Sequence, residues 1–253
     1  MWLWQIGIIC ISSARTIKSG KKPRKGVLKM TNFQENIVPA ENQNSGNVFL
    51  HINGGIKILF AGNSITKHAP KPSIGWNRDC GMAASCAEKD YVHLIVERLK
   101  KYDPRLSYGI AQVAAFERGF FNKTPDMLYS AAREFDPDII VMFFGANVSK
   151  DYDNMQNPPK KFGEAYAELR RYLDKSGKAR VFHSEGFYIR PVLDAEKEKA
   201  AAESGDVFIR IDDIRTREDT HGAFNHPGDT GMQAIADRFL EYLEPAVKKL
   251  TEK

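Results

Sequence analysis

The sequence predicts an α/β domain: a three-layer α/β/α sandwich on a parallel five-stranded sheet, preceded by a small N-terminal β-hairpin. Three observations carry that reading. Short apolar runs alternate with longer segments of helical periodicity about five times from residue 56 onwards, the pattern of a parallel sheet with helices on both faces. Two of the runs, 56–61 and 138–144, are almost wholly apolar, as strands covered on both sides must be. Ahead of them, Asn53-Gly54-Gly55 separates the apolar stretches 48–52 and 56–61, and Asn-Gly supplies the positive φ angles that a tight hairpin needs.

After the hairpin the expected elements follow in order. A helix is expected over 83–101, with Tyr91, Leu94, Ile95 and Leu99 on one face. A strand follows at 106–115. Thr124-Pro125-Asp126 opens a helix, with Thr as N-cap and Pro at the first position. The strand 138–144 leads to a helix over 159–175 that Gly177 ends. A strand at 180–184, a helix at 191–203 and a strand at 206–211 come next. A helix over 230–250 closes the chain, burying Met232, Ile235, Ala236, Phe239 and Leu243. Right-handed crossovers make this one domain. Chemistry in such a sheet gathers at the carboxyl ends of its strands, here 62–66, 115–119, 145–147, 184–187 and the stretch after 211.

Composition narrows the function. The chain has 253 residues, 42% hydrophobic and 27% charged, an ordinary globular balance. Its net charge of +5 is uneven, because residues 1–29 hold seven Lys or Arg and no acid. Taking those seven from the 37 basic residues leaves two fewer than the 32 acids. The rest is therefore mildly acidic, and nucleic acid is not an expected partner. Residues 1–29 are read as a non-structural or mis-assigned extension ahead of Met30, 30–55 as an N-terminal segment carrying the hairpin strand, and 56–253 as the main domain. The apolar run 1–11 has its basic cluster behind it, the reverse of a secretory signal, and is too short to span a bilayer. No membrane partner and a cytoplasmic location are expected. Cys10, Cys80 and Cys86 fit neither a disulfide framework nor a metal motif and are read as free thiols.

Three loops on one sheet edge carry the candidate chemistry. Ser64 follows the first central strand in Gly62-Asn63-Ser64, where its hydroxyl and neighbouring N–H groups can meet an incoming oxyanion. Asn147 follows the strand 138–144 in Gly145-Ala146-Asn147, where an amide can donate to developing negative charge. His226 stands in Asn225-His226-Pro227-Gly228 before the last helix, and a neutral imidazole is suited to take a proton from serine. Each alone fits an ordinary turn; their joint placement on one edge does not.

In these three blocks the sequence resembles the SGNH (GDSL-like) hydrolase superfamily, over roughly 56–250. The resemblance rests on Ile58-Leu59-Phe60-Ala61-Gly62-Asn63-Ser64, on Gly145-Ala146-Asn147, and on His226-Pro227-Gly228 through Gly231. It implies a flavodoxin-like sheet and a serine esterase for small acyl esters, O-acetyl groups on carbohydrates among them. Ser64 would be the nucleophile and His226 the base, with Ser64 and Asn147 in the oxyanion hole and no cofactor. Two departures matter. The position three residues before His226, usually Asp, is Ala223, so a Ser-His dyad with a backbone carbonyl or water holding the imidazole is expected. The glycine whose N–H usually completes the oxyanion hole falls at Glu117 when strand ends are matched, and the Glu117 N–H is assigned that place.

Trp76 and Met82, in the loop after Ser64, either line the substrate pocket or seal the sheet's end. His68 and His93 are read as structural or solvated. His183, His221 and Glu185 lack metal-ligand spacing, so no metal is expected. A phosphate-binding relative would need a glycine-rich cradle or acidic metal ligands at the strand ends, and neither motif is read in the sequence. A lipase or thioesterase for longer chains and a non-catalytic carbohydrate-binding relative stay open, as does the oligomeric state.

Overall fold

A computed structural model describes residues 46–252. The readings made for residues 1–29, and for 30–45 of the N-terminal segment, lie outside the described residues. The strands are β1 (Val48–His51), β2 (Lys57–Gly62), β3 (Ser107–Gln112), β4 (Ile139–Phe143), β5 (Arg180–Ser184) and β6 (Val207–Ile209). The helices are α1 (Tyr91–Leu99), α2 (Ala114–Gly119), α3 (Asp126–Glu134), α4 (Phe162–Leu173), α5 (Pro191–Ser204), α6 (Asp212–Arg215) and α7 (Asp229–Thr251).

The sheet has six strands in the order β1-β3-β2-β4-β5-β6, one more than expected. The five parallel strands are the expected ones, and the sixth is β1, antiparallel to β3. β1 and β2 were expected to pair as a hairpin; β3 lies between them instead. The connection crosses the amino end of β3, where Asn53 N and Gly54 N donate to Ser107 Oγ at 2.8 and 3.1 Å. Gly55 N donates to Arg105 O at 2.7 Å and Ile56 N to Asp103 Oδ2 at 2.7 Å. Two strand spacings are about 10 Å, which a five-residue link spans with ease. The physical reason is β2 itself. Both its faces are buried, and it gains a full parallel ladder from β3 and another from β4, leaving β1 to cover the outer edge of β3.

Alternate residues of the central strands feed two cores. Ile58 and Phe60 of β2, with Val141 and Phe143 of β4, face α1 and α7. Leu59 and Ala61, with Ile140 and Met142, face α3 and α4. This period of two is what a sheet covered on both sides requires. The expected helix 83–101 is ordered as an α-helix only from Tyr91, where Asp90 caps it by accepting from His93 N. At α3 the N-cap is Pro125 rather than Thr124. The remaining elements match within a few residues, while α2 and α6 were not expected.

The parallel strands alone run 2-1-3-4-5 in chain order, counting β2 as the first. The chain steps from β2 to one side for β3, then to the other for β4. In open sheets of this kind, ligands bind at such a reversal, outside the carboxyl ends of the strands.

Candidate functional site

Ser64 lies just past the end of β2 and Gly145-Ala146-Asn147 just past β4, so both flank the reversal. The turn at Ser64 is tight. Thr66 N and Lys67 N both donate to Asn63 O at 3.0 Å, and Ile65 N donates to Asn63 Oδ1 at 3.2 Å. Gly62 is required there by space: a Cβ would sit 1.7 Å from Thr66 Oγ1. Met82 N holds the Ser64 carbonyl at 2.8 Å. The Ser64 N–H donates to no group among the described residues.

His226 is presented by the stretch 220–231, which is the loop before α7 together with the first residues of that helix. Gly222 N donates to His226 O at 2.7 Å and Gly228 N to Thr220 O at 3.0 Å, closing the loop into a narrow ribbon. At Gly222 a Cβ would come within 2.7 Å of Gly228 Cα, and at Gly231 within 2.1 Å of Thr220 O. Side chains at either position would push the ribbon open.

The structure brings Ser64 and His226 together, with Oγ 2.7 Å from Nε2. On the other side of the ring, Nδ1 is 2.7 Å from Phe224 O. A carbonyl can only accept, so Nδ1 carries the proton and Nε2 is left to accept from the serine hydroxyl. Asp212, Asp213, Asp219 and Asp229 pair instead with Arg215, Arg238, Arg217 and Lys89. Burial lowers the His226 pKa, outweighing the raising effect of the Phe224 carbonyl, with His68 adding a smaller lowering charge. The imidazole is therefore neutral at neutral pH.

The turn that aims the Phe224 carbonyl was not visible in the sequence. Phe224 and Asn225 have φ of +58° and +56°, a left-handed conformation uncommon for two successive side-chain-bearing residues. Tyr188 O–H donates to Asn225 O at 2.7 Å and lies 3.2 Å from His226 Nδ1. Burial pushes the Tyr188 phenol up to about 12, so it stays protonated. The ring of Phe224 meets Trp76 edge to face.

One open reading is decided and one expectation is corrected. Trp76 and Met82 are 1% and 5% exposed and belong to the core beside α1 and α7. They seal the sheet's end, since Trp76 Nε1 donates to His68 O at 3.0 Å and neither side chain is open to a ligand. The Glu117 N–H is not an oxyanion donor, because it donates to Val113 O at 2.9 Å within the first turn of α2. Val113 N and Ala114 N are likewise spent, on Gly62 O and on Gln112 Oε1.

What Glu117 contributes is its carboxylate, 1% exposed. Oε1 accepts from Gly145 N at 2.5 Å, Asn63 Nδ2 at 3.2 Å and Asn147 N at 3.3 Å. Oε2 accepts from Asn147 Nδ2 at 2.6 Å. Burial pushes this carboxyl above its usual range, while the four N–H donors pull it down. Beneath the same loops, the fully buried Lys197 donates to Phe144 O at 3.1 Å and Ser184 O at 3.0 Å and pairs with Asp194 at 2.9 Å. It joins the carboxyl ends of β4 and β5. His183 lies in a separate buried network with Tyr166 and Asp206.

No family model and no curated protein matches the sequence. Solved structures do match its fold. One is a two-domain esterase active on acetylated mannans, co-crystallised with mannopentaose, at 17% identity and TM-score 0.53 over 77% of this chain and 50% of that one. A family two carbohydrate esterase from Cellvibrio japonicus matches at 17% identity and TM-score 0.51 over 79% and 63%. Another from Clostridium thermocellum, in complex with cellohexaose, matches at 18% and 0.50 over 75% and 64%. The chain thus spans half to under two thirds of these proteins' lengths. It has the SGNH hydrolase fold.

Proposed function

We propose that the chain is a serine ester hydrolase for small acyl esters, with O-acetyl groups on carbohydrates as its substrate class. The observation that carries the reading is the Ser64–His226 contact of 2.7 Å, made by an imidazole whose far nitrogen is held at the Phe224 carbonyl. His226 takes the hydroxyl proton as Ser64 attacks the ester carbonyl, and the tetrahedral oxyanion is held by the Ser64 N–H and the Asn147 amide. Collapse expels the alcohol, which receives the proton from His226. Water, activated by the same imidazole, then releases the acid and restores the serine. A neutral carbonyl stabilises the imidazolium less than a buried carboxylate does, so the dyad relies more on placement than on charge. The acetylated-carbohydrate substrate is supported by the shared fold with an esterase active on acetylated mannans.

The test is hydrolysis of p-nitrophenyl acetate, of longer p-nitrophenyl esters and of acetylated mannan by the wild type, Ser64→Ala and His226→Ala. Both variants should lose on the order of 10³-fold or more in kcat, and by similar factors, because the pair acts as a unit. Equal rates for wild type and Ser64→Ala overturn the assignment of Ser64. Binding of acetylated mannan without turnover would favour a carbohydrate-binding role instead.

A further inference from the structure

Two consecutive residues of α2 grip the same amide from opposite ends. Glu117 Oε2 accepts from Asn147 Nδ2 at 2.6 Å, and Arg118 Nη2 donates to Asn147 Oδ1 at 2.7 Å. We propose that Glu117 and Arg118 are positioning residues that fix and polarise the Asn147 amide, and that the buried Glu117 carboxylate locks the nucleophile loop to the oxyanion loop. This rests on the esterase reading above and adds to it the side chains that preorganise the oxyanion hole.

The argument is a count of donors and acceptors. An amide nitrogen has two hydrogens and an amide oxygen two lone pairs. One hydrogen of Asn147 goes to Glu117, which leaves one for the oxyanion. With a cationic donor on Oδ1 and an anionic acceptor on Nδ2, electron density is drawn from nitrogen towards oxygen, and the remaining N–H becomes a stronger donor. The rotamer is also settled. Turning the amide over would set Oδ1 against the Glu117 carboxylate and Nδ2 against the guanidinium, unfavourable at both ends.

Glu117 reaches further than Asn147. The same carboxylate accepts from Asn63 Nδ2, one residue before the nucleophile, and from Gly145 N, the first residue past Phe144. One buried group therefore spans the carboxyl ends of β2 and β4 and sets the spacing between Ser64 and Asn147. An oxyanion hole works by fixed donors that need not reorganise during reaction, and this carboxylate supplies that fixity. Its burial leaves no water to substitute for it.

Glu117→Gln is the informative change, being close in volume. Glutamine offers one acceptor and one donor group in place of two acceptors. Either placement of its amide sets an N–H₂ against a protein N–H, and Asn147 cannot relieve this by turning because Arg118 already donates to its oxygen. Arg118 is exposed, so Arg118→Met provides a second variant with little demand on folding.

The experiment is a mutant cycle on p-nitrophenyl acetate, with kcat and KM for the wild type, Ser64→Ala, Asn147→Ala, Glu117→Gln, Arg118→Met and the doubles with Asn147→Ala. Asn147→Ala should lower kcat about 10²–10³-fold, as loss of an oxyanion donor does. Glu117→Gln should lower it roughly 30-fold or more, and Arg118→Met about three- to tenfold, with KM within about twofold. In the Asn147→Ala background Arg118→Met should cost under about threefold, because it acts through that amide alone, and Glu117→Gln should cost clearly less than it does by itself, the remainder being its hold on Asn63 and Gly145. Full and undiminished losses in that background, or a wild-type kcat for both variants, overturn the proposal while leaving the esterase reading intact. Should Glu117→Gln fail to fold, the Arg118→Met arm decides by the same criterion. If wild type and Ser64→Ala are equally slow, the esterase reading falls, and the positioning roles fall with it.

Discussion

Trp76 and Phe224 meet edge to face, their ring centroids 6.2 Å apart at an interplanar angle of 86°. The contact joins the loop that follows the nucleophile to the turn that precedes the base. Trp76 is also anchored by Nε1 to His68 O and is almost wholly buried. It supports the left-handed turn at Phe224, as Tyr188 does at Asn225.

Trp76→Ala should therefore destabilise the fold by about 3–5 kcal/mol, the usual cost of removing a buried large aromatic. Chemical denaturation checks this. Trp76→Phe keeps an edge contact and should lose less, and its esterase activity should exceed that of Trp76→Ala measured well below the unfolding midpoint.

The backbone at Asn225 makes a second prediction. Asn225→Gly suits φ of +56° and should leave stability and kcat close to wild type. Asn225→Val places a β-branched residue in the left-handed region and should cost about 1–3 kcal/mol. Its kcat should fall with KM little changed, because the displaced turn carries the carbonyl that holds His226. A valine variant with normal stability and kcat would show that the turn is unimportant.

Tyr188→Phe removes the O–H that satisfies Asn225 O. A loss of about 1 kcal/mol is expected from a single neutral hydrogen bond, with a several-fold drop in kcat. Thermal melts and steady-state kinetics separate the two effects.

The pH profile follows from two shifts. His226 must be neutral to accept a proton, and burial sets its pKa below 6.5. Glu117 must be ionised for both its oxygens to serve purely as acceptors of the four N–H groups around it, and burial sets its pKa above 4.5. The two are drawn towards each other, so kcat/KM should fall on the acid side with a slope steeper than one per pH unit. With Tyr188 raised to about 12, no loss from this phenol is expected on the alkaline side up to pH 9. An acid limb centred above pH 7 would contradict the burial of His226.

Much of the sheet was legible because its signals are local. The apolar runs of β2 and β4 and the Ser64, Asn147 and His226 blocks each announce themselves within a few residues. The partner of β1 was not, because Asn53-Gly54-Gly55 serves equally well as a turn or as a link across β3. Trp76 and Met82 have the same composition whether they line a pocket or plug a core, and only the packing of α1 and α7 decides. At Glu117 the expected contribution was a main-chain N–H. The α2 helix consumes that N–H and turns the side chain inward, a reversal that spacing along the chain does not record. The carbonyl facing His226 was expected as a type of group, but its owner, Phe224, depends on two backbone angles.

That carbonyl has a consequence for how the site responds to change. An orienting aspartate can be erased by one codon and silenced by one proton. A peptide oxygen has no codon of its own and does not titrate. Side-chain scanning at position 224 would report on the ring and its contact with Trp76 while leaving the acceptor in place. The group that steers the base is thus inherited through the shape of a turn, and drift in the sequence reaches it only by bending the chain.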